Sequence, residues 1–384
     1  MIDFSFASLL ICLVVTNLLI IFCACILNSN KLLIRIGYSL LGFILLLIVI
    51  RLLLPYEFSF TQTFWLPEYV SKLITWLLHP ALHIGCISFS LWNIMVGIWI
   101  IGSLLCFVYY SYLYCLSVKR IKESISNNDV KQIRKYEYLI SEICQKLNKK
   151  NTFRIIISDI SVPSYFYYRG PCIVLPENIE FSQKDLYFIL RHEMNHHFHH
   201  DLIIKYMMIL LAIVYWWNPF CYLLKKQCNT VLEMRTDNKL TEDNSDLIID
   251  YLNCLINTAK RISAEKQHYT IGIPFCSRNS SQFIQRCSLL MQKNQHKKTY
   301  ICYIPAIIIP VVLFISSYLY QFNSSYTPAF IENEYIVPDK NNIYAIKKAN
   351  NTYDIYLFGK YSETVDTLDF YSNSITVYEK GEMK

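Results

Sequence analysis

Residues 183–201 read QKDLYFILRHEMNHHFHHD, and they predict a helix that carries a metal site. Ser182 stands just before this stretch and supplies a capping side chain for the helix. His192 and His196 are four residues apart and therefore share one face of the helix. Two imidazoles at this spacing are typical ligands of one Zn²⁺, and Glu193 beside the first is placed to act as a general base. The stretch therefore predicts a catalytic zinc site.

A catalytic zinc ion needs a third protein ligand and an open coordination position. The segment LEMRTD, residues 232–237, offers Glu233 as that ligand. Asp237 follows one helical turn later on the same face, where its carboxylate can accept a hydrogen bond from the other ring nitrogen of a ligand histidine. The predicted zinc ligands are thus His192, His196 and Glu233, with Glu193 as the catalytic base and Asp237 as a supporting acid.

The remaining histidines are not expected to bind metal. Three of them lie beside the ligands, within 192–200, and are read as a polar face of the same helix. His79 and His83 also have ligand spacing, but Pro80 interrupts them and no acidic residue accompanies them, so they are read as packing at the membrane interface. Asp201 has two open interpretations, as a partner of a ligand or as a residue that closes the helix.

The composition is typical of a membrane protein, since 54% of the residues are hydrophobic and the mean hydropathy is +0.28. Soluble domains usually contain about 45–50% apolar residues. A bilayer core of about 30 Å needs roughly 20 apolar residues in a helix. The segment 73–89 is expected to lie flat at the membrane surface, with Trp65 and Trp76 as anchors. The runs predicted to span the bilayer are 4–27, 33–54, 91–117 and 301–322.

The basic residues predict how these runs are oriented. Lys31 and Arg35 follow the first run, a dense group of lysines and arginines lies in 118–154, and another group precedes the last run. Positively charged loops favour the cytoplasmic side of a membrane. We therefore expect a cytoplasmic unit at 118–300, with the N-terminus and the tail 323–384 outside. The net charge of +7 is assigned to these loops rather than to nucleic-acid binding.

The apolar segment 202–224 constrains this topology. A single crossing of the bilayer would place Glu233 on the opposite side from His192, where it could not complete the same site. We therefore expect the segment to re-enter the membrane or to lie buried in the helix bundle, folding back at Asn218 and Pro219, because proline breaks a helix. The alternative is one true span, with the third ligand supplied elsewhere.

Two other patterns complete the predicted fold. β-Branched runs at 152–160 and 172–176 predict a strand pair before the metal helix. The cysteines lie mostly in apolar runs or predicted cytoplasmic segments, which favours free thiols over a disulfide framework.

The predicted fold is an α-helical integral membrane protein with a cytoplasmic α+β zinc domain. Its predicted division is three transmembrane helices and an outer interfacial loop at 1–117, the zinc domain at 118–300, the last transmembrane helix at 301–322 and a short β-rich extracytoplasmic tail at 323–384.

The order of four segments resembles the BlaR1/MecR1-type membrane peptidases of the M56 family. They are PCIVLP at 171–176, FILRHEMNHHFHHD at 188–201, YWWNPFCYLLKK at 215–226 and LEMRTD at 232–237. The resemblance is strongest over 150–240, and the layout of the apolar runs also agrees. It implies a gluzincin-like zinc domain on the cytoplasmic side, with the same ligands and base as above. Thr236 stands where the family often has cysteine.

The resemblance also implies a function. In that family an outer domain perceives a signal, and proteolysis then inactivates a cytoplasmic transcriptional repressor. The expected partners are a protein substrate, such as a repressor or the chain itself, and the lipid bilayer; no direct nucleic-acid contact is expected, and the outer ligand is not identified. The antibiotic receptors carry an outer penicillin-binding domain with a Ser-x-x-Lys motif. The tail has none, and Ser263 with Lys266 lies on the predicted cytoplasmic side, so covalent β-lactam sensing is not expected.

Two alternatives use the same residues. A membrane quality-control protease would cleave many misfolded proteins without a dedicated outer ligand. A non-catalytic receptor would hold zinc only for structure, but such sites normally have four protein ligands, and Glu193 would then have no role.

Overall fold

The computed structural model describes most of the chain, and its residues form two compact units. The larger unit comprises Met1–Phe64 and Pro80–Asn323, and the smaller comprises Trp65–His79 and Ser324–Lys384. The described residues are 2–3, 6–58, 60–65, 69–70, 76–77, 80–84, 87–127, 130–160, 162–177, 179–242, 247–264, 273–274, 280–292, 300–323, 343–348, 352–357, 360–365 and 376–379.

Helices dominate the larger unit. Long apolar runs favour this structure because a helix satisfies all its backbone polar groups within one segment. The described helices are α1 (Phe6–Leu27), α2 (Asn30–Ile36), α3 (Tyr38–Leu53), α4 (Leu91–Asn127), α5 (Val130–Lys146), α6 (Gln183–Phe198), α7 (Asp201–Val214), α8 (Pro219–Leu240), α9 (Leu247–Ala264), α10 (Ser280–Gln292) and α11 (Tyr300–Leu319).

The strands before residue 324 form three two-stranded ribbons and one four-stranded sheet. The ribbons pair β1 (Ile2–Asp3) with β2 (Glu57–Phe58), β3 (Gln62–Trp65) with β10 (Tyr320–Asn323), and β4 (Pro80–Ile84) with β5 (Ile87–Ser90). In the four-stranded sheet, β6 (Arg154–Ser158) is parallel to β8 (Pro171–Pro176), while β7 (Ser164–Tyr167) is antiparallel to β8 and to β9 (Ile273–Pro274). The β-branched and aromatic residues of these strands fit a pleated, buried surface.

Two helices of the described residues are long and apolar enough to cross a bilayer. They are the parts of α1 and α4 at Ala7–Leu27 and Leu91–Ile125. Two bent pairs, α2 with α3 and α6 with α7, also qualify if each pair counts as one span, which raises the number to four. The apolar part of α11, Tyr303–Leu319, is shorter.

The run 33–54, which is predicted to span the bilayer, is not one continuous helix. The chain breaks at Gly37, whose φ of 85° suits glycine, and the helices α2 and α3 meet there at 88°. The Gly37 N–H donates to the Leu33 carbonyl and closes α2. The 16 residues of α3 are about 24 Å long, which is shorter than a bilayer core of about 30 Å.

The predicted interfacial segment 73–89 contains an antiparallel strand hairpin of β4 and β5 in its described part. Its residues 73–75, 78–79 and 85–86 lie outside the described residues. The location of this segment at a membrane surface stays a prediction.

The apolar segment 202–224 forms nearly all of α7, the turn at 215–218 and the start of α8, and these two helices make a hairpin whose tip is that turn. Asn218 caps the start of α8, and its side-chain amide donates to Asn17 of α1 at 3.0 Å. The returning helix α8 packs along α1 and α3, and its Glu233 lies 3.4 Å from His192 of α6 at the other end of the hairpin. The position of this hairpin in a bilayer stays a prediction.

Two hydrophobic cores position the site. The first joins α1, α3, α7 and α8, and the second joins α5, α6, α9 and α10 against the four-stranded sheet. Because α8 contributes to the first core and α6 to the second, the site lies where the two cores meet. Central members of the two cores are Leu19, Ile44 and Leu224 in the first, and Ile189, Leu240 and Leu255 in the second.

A close contact fixes α4 against the hairpin tip. The Trp216 indole donates to the Trp99 carbonyl at 3.2 Å and lies over Gly102, where an added Cβ would come within 2.2 Å of the ring. We expect Gly102→Ala to displace the indole and to lower the free energy of unfolding by about 1–3 kcal/mol. The check is thermal unfolding of the full chain in detergent.

Gly97 on the same helix is the matched control, because nothing lies within 4 Å of a Cβ added there. Gly97→Ala should be neutral or slightly stabilising, by up to about 1 kcal/mol, since alanine favours helix. Equal stabilities of the two variants would contradict the packing role of Gly102.

The smaller unit contains a four-stranded sheet in the order β13–β12–β11–β14. Its strands are β11 (Ile343–Lys347), β12 (Tyr353–Leu357), β13 (Lys360–Val365) and β14 (Thr376–Glu379), and only the β11–β14 pair is parallel. Ala345 and Ile355 are its buried residues, and Tyr344 stacks on Tyr356 across the strands. The location of this sheet outside the cell stays a prediction.

Candidate metal centre

Three buried side chains converge where α6 faces α8. The Nε2 atoms of His192 and His196 are 3.1 Å apart. The Glu233 carboxylate places one oxygen 3.4 Å from His192 Nε2 and the other 3.7 Å from His196 Nε2. In the part of the chain that the structure describes, this is the one group of three or more histidine, cysteine or acidic residues close enough to share a metal ion.

His196 is oriented by Asp201, five residues further along the chain. His200 between the two helices adopts a left-handed conformation with φ 57°, and this turn brings Asp201 back against α6. The Asp201 carboxylate accepts a hydrogen bond from His196 Nδ1 at 2.7 Å, and Arg235 donates to the same carboxylate. Burial lowers the pKa of His196 to about 4, so at neutral pH its proton stays on Nδ1 and Nε2 keeps a free lone pair.

His192 is oriented through a tyrosine. Its Nδ1 lies 2.9 Å from the Tyr251 hydroxyl, which donates to the Asp237 carboxylate at 2.7 Å. The hydroxyl has one proton, and that proton is used on Asp237, so His192 Nδ1 must be the donor in the other bond. His192 Nε2 therefore also presents a lone pair toward Glu233.

This donor set fits a metal ion. With both ring protons on Nδ1, the two facing Nε2 atoms cannot hydrogen bond to each other, and their lone pairs share one buried space. Two nitrogens that each bind one Zn²⁺ at about 2.0–2.1 Å lie roughly 3.3 Å apart in a tetrahedral site, close to the observed separation. The residues that would hold the ion are His192, His196 and Glu233.

Arg286 on α10 contacts two acidic residues of the centre, Asp237 and Glu233. Its Nε and Nη2 each donate to Asp237 at 2.7 Å, and its Nη1 lies 3.1 Å from a Glu233 oxygen. Burial favours the neutral form of Glu233, but the opposing effects, of which the Arg286 guanidinium is the largest, outweigh it and hold the pKa of Glu233 well below its usual range. Glu233 is therefore an anion, as a metal ligand must be.

Glu193 lies beside the ligands and is fully buried. Neither of its carboxylate oxygens makes a hydrogen bond of normal geometry to the described residues. Burial, and then the neighbouring Glu233 carboxylate, raise the pKa of Glu193 well above its usual range, against smaller opposing effects of Lys205, the Tyr165 backbone and Arg286. A carboxyl group with a raised pKa is suited to accept and return a proton near neutral pH.

Comparison with known proteins identifies the family. The family model described as BlaR1 peptidase M56 matches residues 86–290, more than half of the chain and all of the groups above. The chain belongs to the M56 peptidase family. It therefore belongs to a family of metallopeptidases, and its apolar helices agree with a membrane protein.

Relatives of this M56 peptidase include known regulators. It is 27% identical over 158 residues to the regulatory protein BlaR1 of Bacillus licheniformis, covering 39% of this chain and 23% of that protein. It is 26% identical over 211 residues to the methicillin resistance mecR1 protein of Staphylococcus aureus, covering 52% of this chain and 35% of that protein. The match to the mecR1 protein of Staphylococcus epidermidis has the same extent. The chain thus matches 23% to 35% of the length of these relatives.

The structure brings the residues predicted for the M56 site together, with one change of contact. Asp237 lies 3.6 Å from His192 Nδ1 and reaches it through Tyr251, not directly as predicted. The roles of these residues as ligands, base and support stay predictions. His197 contacts Tyr165, and His199 contacts the Asn195 carbonyl, so both lie outside the cluster. His79 lies outside the described residues, as does the side chain of His83.

Sequence reasoning missed three residues of this site. Tyr251 bonds to His192 and Asp237. Arg286 joins Asp237 to Glu233, and Arg235 donates to Asp201. Arg286 had a signal in the sequence, because it is the one charged residue of α10, SSQFIQRCSLLMQ. Tyr251 lies in the amphipathic helix α9 and had none.

Tyr251→Phe tests the support of His192. The variant keeps the ring that packs beside Phe188 but leaves the His192 Nδ1–H without its acceptor. We expect the affinity for Zn²⁺ to fall about 10- to 100-fold, as is typical for the loss of an outer partner of a ligand histidine. The measurement is competition with a chelator, with the exposed Tyr138→Phe as control. An unchanged affinity would show that Tyr251 does not orient His192.

Proposed function

We propose that this M56 peptidase is a membrane zinc endopeptidase of the gluzincin type, with His192, His196 and Glu233 as zinc ligands and Glu193 as base. The observation that carries the proposal is the convergence of two imidazoles and one carboxylate with a fully buried second carboxyl group beside them. A structural zinc site would normally have four protein ligands, whereas three leave a position open for catalysis.

In the proposed reaction the metal ion and the side chains of the protein have different roles. A bound Zn²⁺ supplies Lewis acidity that polarises the peptide carbonyl and makes water more acidic. Glu193 takes a proton from the attacking water and returns it to the leaving amine. Asp201 and Tyr251 keep the ligand rings in the tautomer that frees Nε2, and Arg286 keeps Glu233 charged and in place.

We further propose that the centre faces the cytoplasm. The support is the basic stretch 118–154, which begins in the last part of α4 and continues beyond it, and which favours the cytoplasmic side. The N-terminus and the sheet of the smaller unit would then lie outside, and the α7–α8 hairpin would enter the bundle from the cytoplasmic side and return. This arrangement keeps Glu233 on the same side as the metal helix.

For the substrate we propose a cytoplasmic regulator, such as a transcriptional repressor, or the chain itself. The support is the similarity to proteins named as a regulatory protein and as methicillin resistance proteins. The stimulus would act from outside, and no direct contact with nucleic acid is proposed.

The test is a comparison of protein N-termini in cells that express either the wild type or Glu193→Ala. New N-termini in one or a few cytoplasmic regulators, or in the chain, that the variant lacks would support the proposal. New N-termini in many unrelated membrane proteins would favour a quality-control protease instead. Identical sets, with about one zinc bound per chain in both proteins, would favour a non-catalytic receptor.

A further inference from the structure

Arg286 links the metal centre to a single helix, α10. The side chain is almost completely buried and directs three nitrogen atoms at two carboxylates, those of Asp237 and Glu233. A guanidinium that bridges two carboxylates is held in a fixed geometry. A shift of α10 along or away from α8 must therefore move Arg286 relative to both acids.

The opposite side of α10 is bonded to the turn between α1 and α2. Gln285, next to Arg286, donates to the Leu27 carbonyl and lies 3.3 Å from the Asn30 side-chain oxygen. The Asn30 amide in turn donates to the Ser288 hydroxyl at 2.8 Å. Leu27 ends α1 and Asn30 begins α2, so these bonds attach α10 to the turn that connects the first two apolar helices.

A cavity of about 340 Å³ lies between α10 and the break that follows α2. Gly37 and Tyr38 line one side of it, and Asp237 and Arg286 line another. The helix break is therefore not packed tightly against the arginine. Tightly packed interiors transmit small displacements, and the cavity interrupts such packing between the break and Arg286. The bonds of Gln285 and Asn30 are polar contacts that join the turn to α10 in the described part of the chain.

We propose that Arg286 is a positioning residue through which the turn between α1 and α2 sets the metal-binding competence of the centre. This inference rests on the proposed function. The chain of contacts runs from the turn to Gln285 and Asn30, through α10 to Arg286, and from there to Glu233 and Asp237. Withdrawal of Arg286 releases the third ligand and, through Asp237 and Tyr251, the ring of His192. A displacement of the first two apolar helices thereby lowers the affinity of the site for zinc.

The test distinguishes the bonds between α10 and the turn from the other contacts of α10. The double variant Asn30→Ala/Gln285→Ala removes the three bonds to the turn. Gln282→Ala is the matched control, because Gln282 lies on the same helix and donates instead to Thr230 of α8 at 2.8 Å. All chains carry Glu193→Gln, so that no cleavage disturbs the measurement, and each is the full chain in detergent.

Two quantities are measured for each chain: the dissociation constant for Zn²⁺ by chelator competition, and the visible spectrum after Co²⁺ loading, which reports ligand geometry. For the double variant we expect an approximately 5- to 30-fold weaker zinc affinity and a changed cobalt spectrum. Gln282→Ala should stay within about twofold of the parent chain. A change in stability alone would not move the cobalt spectrum of the folded chain.

Arg286→Lys completes the set, because it keeps the charge but loses the bidentate geometry. We expect it to weaken zinc binding about 10- to 100-fold and to change the cobalt spectrum in the same direction as the double variant. A double variant that matches Gln282→Ala in affinity and spectrum would overturn the coupling, while zinc binding by the parent chain would leave the proposed function intact. A parent chain that binds no zinc, with the chain that retains Glu193 binding none either, would overturn both.

Discussion

Glu193→Gln is expected to reduce the rate of peptide hydrolysis by about 10²- to 10⁴-fold while leaving the metal bound. The amide has nearly the same shape as the carboxyl group but cannot take a proton from water. Glu193 makes no hydrogen bond of normal geometry to the described residues, so the substitution breaks no structural contact of its carboxylate. The measurement is kcat on a cleaved substrate, together with the zinc content of the purified chain.

Glu242→Gln is the control for this prediction, because Glu242 is an exposed acid near the end of the adjacent helix α8, paired with Lys239. It should change neither kcat nor zinc content. A Glu193→Gln chain that retains the wild-type rate would exclude Glu193 as the base. A chain that loses both rate and zinc would assign Glu193 to the binding of the metal.

His196→Ala is expected to abolish zinc binding. The substitution removes a ligand nitrogen and leaves the buried Asp201 carboxylate with Arg235 alone. The loss of affinity should exceed the factor of about 10–100 that follows the loss of an outer partner. Zinc content after dialysis and cleavage of the substrate are the two measurements, and both should fall to background.

His199→Ala is the matched histidine for this comparison. His199 is three residues away on the same helix, is only half-buried, and bonds to a backbone carbonyl instead of facing Glu233. It should keep full zinc content and full activity. If His199→Ala lost its zinc and His196→Ala did not, the ligand assignment would have to move to the other face of the helix.

The sequence predicts well which residues of a single helix meet in the centre, because the geometry of an α-helix fixes their relative positions. His192 and His196 converge for the same reason that any pair four residues apart does. Glu233 could be chosen because a third ligand was needed and a carboxylate occurs on a later helix with an acid one turn after it. What the sequence could not supply is the path from Asp237 to His192, since Tyr251 comes from α9 and has no patterned relation to either residue.

Three other features could not be predicted from the sequence, each for a different physical reason. They are the role of Asp201, the helix break at Gly37 and the contacts of Arg286. Asp201 could support His196 only if the chain turned back at once, which depends on the left-handed conformation of His200. The break at Gly37 interrupts a run that is apolar on both sides, so hydropathy does not reveal it. Arg286 stands 49 residues after Asp237, and only the packing of α10 against α8 brings the two together.

The centre is assembled from parts of the chain that are made at different times. The ribosome adds about 5–20 residues per second, so roughly 5 to 20 s pass between the synthesis of the metal helix and that of Arg286. In the later part of this interval the nascent chain already carries both histidines, Glu233 and Asp237, but the cation that holds these two acids does not yet exist. On the proposed function, we expect the peptidase to mature only when nearly all of the unit 118–300 has been translated.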